Sequence, residues 1–477
     1  KNFALSLALG CSIAHSSALM ELNERSFFSR LCGPMGTGSL RGCTISLLFS
    51  ALGAGILSLP WAIARLGLLL GVGVLLSSAI CSYATMEMLI ASGLIRDKFA
   101  YADIMEDIMG SPGAVVVNII VALDCAGAIC VFYKYMAGSV HVLATSMGYD
   151  LSEPMLIVII SFLIVFPLSL PERITAIQYA ATASIIPLAV VIGVVVFRCP
   201  YLASEAKVKQ VLVRTDIFST EAAESCSAVF FSFMCHMNVW AVRNELANNV
   251  PRRTSKVFRR AVLILFLVYA SVAVAGAASF GIDTPSNILK AYPASDFTST
   301  CAHVLMSGML VVCSVLCVHP VRRALAGLFG YDAGIPRVEC HCSSPGLVRS
   351  PVYLFSPSDK LPDNGSWSKQ SSDNLPLLAE DNHRPKKTLT RVGSFLITFL
   401  VILSTCTVAI AVPSIVELLG VLGGFCAVAL MFVFPTFFYA KTQSGRRATF
   451  AVCIAIIFSA IGLIACVGTI MPGESSV

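Results

Sequence analysis

Three short stretches of this sequence carry polar or irregular chemistry into long apolar runs. The first is Gly53-Ala54-Gly55-Ile56-Leu57-Ser58-Leu59-Pro60, midway along an apolar run from about Gly42 to Arg65. Two glycines one residue apart, with proline five further on, disfavour an unbroken helix. A helix restarting near Ile56 would offer unpaired amide N–H groups worth roughly half a positive charge, which suits a carboxylate. A close helix crossing is the alternative use of such small residues. The second stretch, Phe233-Met234-Cys235-His236-Met237-Asn238, places a polar cluster at a similar depth of another apolar run. The third is Asp124, an acid inside an apolar run, where ionisable side chains are costly and mark function by default. Its nearest cation on the same run, Lys134, is about 15 Å away along a helix, too far to pair. Lys134 lies between Tyr133 and Tyr135 and is expected to snorkel toward the outer interface.

Cys235 and His236 could be read as a nucleophile and its base. Adjacent helical residues point about 100° apart, however, and do not face each other. No triad, metal cluster or phosphate cradle accompanies them, so catalytic residues, a metal and a cofactor are not expected, nor is an enzyme. Cys340-His341-Cys342 is too short of further ligands to read as a metal site.

The elements that must position these residues follow from composition. The chain has 477 residues, 56% hydrophobic and only 13% charged, with a mean hydropathy of +0.82. A soluble domain carries about twice that charge, so this is a polytopic membrane protein, with no nucleic-acid signature. About eleven runs are long enough to span, near 42–65, 67–92, 114–145, 153–170, 173–197, 222–243, 258–280, 298–319, 392–412, 414–439 and 447–470. Irregular backbone at bilayer depth survives only where protein buries it or water lines it. The first and sixth runs, both interrupted, then become mates in a pair of inverted five-helix repeats, with a binding site between them as in secondary transporters.

Charge sets the orientation. With the N-terminus inside, the inner segments hold most of the 33 lysines and arginines, most sharply at Pro251-Arg252-Arg253-Thr254-Ser255-Lys256 and Arg259-Arg260. The expected organisation is a cytoplasmic segment 1–41, helices one to eight over 42–319, a cytoplasmic loop 320–391, helices nine to eleven over 392–470, and a short non-cytoplasmic tail 471–477. Ser, Pro, Asn and Asp enrichment makes 330–388 a flexible insertion. A glycan at Asn364, in Asn364-Gly365-Ser366, would invert this topology. Tyr101 to Met109 reads as a short amphipathic surface helix, and Cys199 with Cys301 as a candidate outer disulfide. Asn2 to Ile13 is apolar but short and lacks a convincing cleavage site, so no signal peptide is expected. The chain begins at Lys1 without Met, so its native start is expected to lie upstream.

Phe49-Ser50-Ala51-Leu52-Gly53-Ala54-Gly55-Ile56-Leu57-Ser58-Leu59-Pro60 resembles the first helix of the amino acid/auxin permease family. Phe233-Met234-Cys235-His236 with Glu245-Leu246 resembles that family's sixth helix, especially in its sodium-coupled neutral amino acid transporter branch. Gly281 with Asn287-Ile288-Leu289, and Pro320-Val321-Arg322-Arg323, resemble the ends of helices seven and eight. The Pro-Arg-Arg after helix six is similar to that of the protozoan permeases. The resemblance covers about residues 38 to 470, apart from the insertion. It implies an all-α membrane protein of about eleven helices, a five-plus-five core with broken helices one and six, and secondary transport of amino acids. It also implies that the backbone around Gly53, Ala54, Gly55 and Ile56 receives the substrate carboxylate. Phe233, Cys235, His236 and Asn238 would receive the ammonium group and shape the pocket.

Sodium-using members typically carry Asn where this chain has Phe49, and Thr where it reads Val311-Val312-Cys313. Phenylalanine offers no oxygen to a hard cation. Proton coupling, with Asp124 and His236 as candidates, or no coupling is therefore expected. The other reading is a sensor that binds an amino acid and signals through the 330–388 loop, whose protein partners the sequence does not name. Lipid surrounds either one, in a plasma or a vacuolar/lysosomal-type membrane.

Overall fold

A computed structural model describes residues 38–53, 55–171, 185–214, 219–247, 249–293, 296–329, 331–332, 387–388, 390–443 and 445–470. Among the described residues the architecture is helical, apart from one two-residue strand bridge. The first span is two helices, α1 (Leu40–Ala51) and α2 (Gly55–Leu66), meeting at 62°. Next come α3 (Leu68–Arg96), the surface helix α4 (Tyr101–Met109), α5 (Ser111–Ser146), α6 (Glu153–Ser169) and α7 (Ile185–Leu202). A 112° turn leads into the short charged helix α8 (Glu205–Leu212). The sixth span is again split, into α9 (Thr220–Ser232) and α10 (Val239–Glu245). It is followed by α11 (Pro251–Phe280), α12 (Phe297–Leu328), α13 (Arg391–Ala411), α14 (Ile415–Thr442) and α15 (Arg446–Ile470).

Among the described residues, eight helices are long and apolar enough to cross a membrane, or ten if each bent pair counts once. Of the eleven expected spans, the fourth is the shorter apolar helix α6, and the first half of the fifth lies outside the described residues. The expected surface helix is present with the expected bounds. Asn364, Cys340, His341, Cys342 and the whole 333–386 stretch lie outside the described residues, as do the two termini. The ends of that stretch are drawn together by a two-residue parallel bridge of Tyr331–Asp332 with Lys387–Thr388.

Helix packing follows a five-plus-five scheme. The first span packs on the sixth (α2 on α9), the second on the seventh (α3 on α11), and the third on the eighth (α5 on α12). The fifth packs on the seventh as the tenth packs on the second, and the third on the tenth as the eighth on the fifth. This is the pattern that two inverted repeats related by a pseudo-two-fold axis would give, because helices near such an axis meet their own counterparts. Five helices per repeat is an odd number, so the repeats run in opposite senses. The last described helix, α15, packs against α9 and α14.

Two local readings are corrected. Cys199 and Cys301 are both free thiols, so no bridge links α7 to α12. Arg198 and Asp296 form an ion pair there instead. The Thr298 hydroxyl, the Ser299 amide and Arg198 hold the Asp296 carboxyl below the usual carboxylate range. Lys134 does not reach water: it is buried, and its Nζ donates to the Pro413 carbonyl at 3.1 Å, where the α13–α14 junction dips toward it.

The contact between α2 and α11 depends on a missing side chain. A Cβ on Gly276 would lie 2.6 Å from Pro60 Cβ. Gly276→Leu is therefore expected to push the seventh span off the first and cost about 1–3 kcal/mol or more by overpacking. The measurement is the thermal unfolding midpoint of the purified protein in detergent, which should fall by several degrees.

Candidate functional site

At the first break, α1 ends with the Leu52 amide donating to Leu48 O at 2.8 Å. Leu52 itself is extended. Gly53 continues the turn, Ala54 lies outside the described residues, and α2 starts at Gly55. The first-turn amides of α2, at Gly55, Ile56 and Leu57, have no partners within their own helix. Ser58 Oγ donates to Gly55 O at 2.9 Å, which tightens that turn. A Cβ on Gly53 would meet the Phe132 ring of α5 at 3.4 Å, so the third span walls this break.

At the second break, α9 ends at Ser232 and the chain is unwound through Phe233, Met234 and Cys235 into a 3₁₀ turn, His236–Asn238. Phe233, Cys235 and His236 are buried, whereas Asn238 is exposed and stands apart from them. The second span holds this segment. Ser82 Oγ donates to Phe233 O at 3.4 Å, and Thr85 Oγ1 lies 2.9 Å from His236 Nε2. Thr85 Oγ1 also lies 2.8 Å from Cys81 O and 3.2 Å from Ser82 O, a geometry in which its proton goes to a carbonyl and its oxygen accepts from Nε2–H. This tautomer leaves His236 Nδ1 as a lone-pair acceptor, and that buried atom has no partner.

The breaks touch each other. A Cβ on Gly55 would lie 2.5 Å from Ser232 Oγ, so the start of α2 rests against the end of α9. Tyr269 of α11 reaches between them. Its buried hydroxyl lies 3.0 Å from Ala51 O and 2.9 Å from Ser232 O, the last carbonyls of α1 and α9. One O–H proton is thus shared by two helix ends. The edge of the Phe233 ring packs on Tyr269, centroids 5.2 Å apart. The result is a compact site with amide donors on one side, carbonyl oxygens and an imidazole lone pair on the other. Such a pairing can hold a small zwitterion.

Asp124 is not part of this arrangement. It lies eight residues before Phe132 on α5, about 12 Å along the axis. It is 2% exposed, with Oδ1 unpartnered. Its surroundings are the irregular stretch of α14, where two π-helical turns run from Leu422 to Val433. Sequence reasoning missed Tyr269, Ser232, Ser82, Thr85 and Phe132. A lone tyrosine deep in an apolar run was a usable signal, because its hydroxyl needs a partner when buried.

The family model described as "Transmembrane amino acid transporter protein" matches residues 36–472. This chain belongs to that family. The transporter-family chain is 28% identical over 316 residues to a putative amino acid transporter, AAT1, of Toxoplasma gondii. The match takes in 65% of this chain and 43% of that relative, so it spans less than half of the relative's length. Vacuolar amino acid transporter 6 of Saccharomyces cerevisiae is 22% identical over 89% of this chain and 95% of its own length. Sodium-coupled neutral amino acid transporter 7 of Xenopus laevis is 23% identical over 84% and 80%. Among solved structures, the manganese transporter of Eremococcus coleocola matches with a TM-score of 0.55 over 93% of this chain and 91% of its own, at 12% identity. That likeness concerns the fold alone.

Tyr269→Phe removes the one donor that both helix ends share. A buried carbonyl left unpaired costs about 1–3 kcal/mol. The variant should therefore unfold several degrees lower in detergent while still reaching the membrane, checked by fluorescence-detected size exclusion and a thermal ramp.

Proposed function

We propose that this protein is a secondary transporter of amino acids that works by alternating access, with its site between the two helix breaks. The observation that carries the proposal is the abutment of two helix ends at the breaks, the start of α2 at Gly55 against the end of α9 at Ser232, beside a buried histidine nitrogen without a partner. The substrate carboxylate sits on the backbone of Gly53, Ala54, Gly55 and Ile56, where the dipole of α2 favours negative charge. The ammonium group donates to the second lone pairs of the Phe233 and Cys235 carbonyls, whose first partners are Ser82 Oγ and the Asn238 amide, and to His236 Nδ1, and the Asn238 side chain approaches only when the segment rearranges. Rocking one repeat against the other would expose the site to each side in turn, with no covalent intermediate. Relatives named as amino acid transporters over most of the chain support this reading.

Coupling to protons, or no coupling, fits the residues better than sodium. Phe49 on α1 and Val311-Val312-Cys313 on α12 present no side-chain oxygen. Asp124 is the proton carrier in the coupled form, acting at a distance from the substrate through α14. The charge bias supports a cytoplasmic side for the N-terminus and the 320–391 loop. Yeast vacuolar relatives favour a vacuolar-type membrane over the plasma membrane.

The test is uptake of labelled amino acids into proteoliposomes under an inward proton gradient, an inward sodium gradient, or neither. Uptake driven by protons, or proceeding without a gradient, is expected. Absence of uptake under all three, with ligand binding intact, would overturn the transport assignment. His236→Leu deletes one acceptor for a charged donor, about 1.5–3 kcal/mol, and should weaken apparent affinity roughly ten- to hundredfold. Asp124→Asn should flatten the pH dependence of uptake, and retained dependence would return Asp124 to a structural role.

A further inference from the structure

The first three turns of α11 carry Arg252, Arg253, Lys256, Arg259 and Arg260 within nine residues. Of these, Arg252, Lys256, Arg259 and Arg260 are exposed. At 100° per residue they fall, with Leu263 and Leu267 further along, inside one arc of about 100°. Leu263 and Leu267 are 56% and 57% exposed, so that arc is the lipid-facing side of the helix. The opposite arc holds Val257, Phe258, Ala261, Leu265 and Tyr269, all buried in the bundle. The same face therefore changes from cationic to apolar along its length, at Arg260.

Depth places that change at the membrane boundary. From Arg260 to Phe280 is about 30 Å of helix, the thickness of a hydrocarbon core. From Arg252 to Arg260 is about 12 Å more, which crosses the headgroup layer. No described residue forms an ion pair with any of the four exposed cations, and Arg253 Nε has no hydrogen-bond partner. Glu87 of α3, which packs on α11, is engaged by Ser255 on the inner side of the helix. Like charges one turn apart repel and weaken a helix, so this stripe is built for an anion that lies between them.

We infer that the start of α11 is a binding site for an anionic phospholipid. Its phosphate-bearing headgroup lies among Arg252, Lys256, Arg259 and Arg260, and its acyl chains run along Leu263 and Leu267. Guanidinium forks match phosphate geometry, and the ammonium of Lys256 adds a mobile point charge. A bias in charge alone would orient the chain without needing cations and lipid-facing leucines on one stripe. A bound lipid needs both. Because α11 also carries Tyr269, which ties the two breaks together, the lipid would grip the helix that holds the site closed.

The experiment uses the purified full-length protein in neutral detergent, mixed with labelled phosphatidylinositol phosphate or labelled phosphatidylcholine, and reads the lipid retained after size exclusion. Retention of the phosphoinositide should exceed that of phosphatidylcholine, and should fall at least tenfold in the variant Arg252→Gln/Lys256→Gln/Arg259→Gln/Arg260→Gln. A second variant, Arg252→Lys/Arg259→Lys/Arg260→Lys, keeps the charge and should retain most of the lipid. It also serves if the neutral variant does not fold, with Lys256→Gln/Arg260→Gln read beside it for a partial loss. Inorganic phosphate should not displace the lipid, since the leucine stripe contributes only to a ligand with acyl chains. Equal retention by the wild type and the neutral variants, or full displacement by phosphate, would overturn the proposal.

Discussion

The rest of the structure depends on how two broken helices can end inside a membrane. Each break leaves carbonyls and amides without helical partners, at a depth where water does not reach them unaided. Here the carbonyl ends of α1 and α9 share the hydroxyl of Tyr269, at 3.0 and 2.9 Å. The first amides of α2 have no partners within their own helix. On the proposed reading, this asymmetry makes the pair of breaks a site rather than a defect. Carbonyls that are satisfied hold the geometry, and amides that are not can take a ligand. The second span completes the frame by fixing His236 through Thr85 and the Phe233 carbonyl through Ser82.

Symmetry explains why the breaks meet. Inverted five-helix repeats place equivalent helices on either side of one axis, so the first span faces the sixth at the same depth. The packing of the second span on the seventh, and the third on the eighth, follows from the same axis. The supports come from those axial helices too: Ser82 and Thr85 from the second, Tyr269 from the seventh, Phe132 from the third. The insertion between the eighth and ninth spans is held at its base by the Tyr331–Asp332 and Lys387–Thr388 bridge, away from this frame.

Much of this was legible in the sequence, for physical reasons that can be named. Glycine pairs and a proline at mid-span are hard to place in a helix, so the break at Gly53 and Gly55 stood out. The Cys235-His236 cluster did so because polar groups in an apolar run are costly. Tyr269 was harder to read, since a tyrosine in an apolar run is also ordinary core. Its role depends on where two distant carbonyls end, which no local pattern encodes. Lys134 was misread for a related reason. Snorkelling assumes that water lies at the end of the stem, but the α13–α14 junction brings the Pro413 carbonyl there first. Asp124 and His236 were grouped by chemistry, yet helix geometry sets the acid about two turns away from the Phe132 wall of the site.

The most direct test of the central claim is a cryo-electron microscopy structure of the purified protein with a transported amino acid bound. The account predicts density between the breaks, with the carboxylate against the amides at Gly55 and Ile56 and the ammonium within reach of the Phe233 carbonyl and His236 Nδ1. Substrate density elsewhere in the bundle, with the gap between Gly55 and Ser232 still closed, would contradict it.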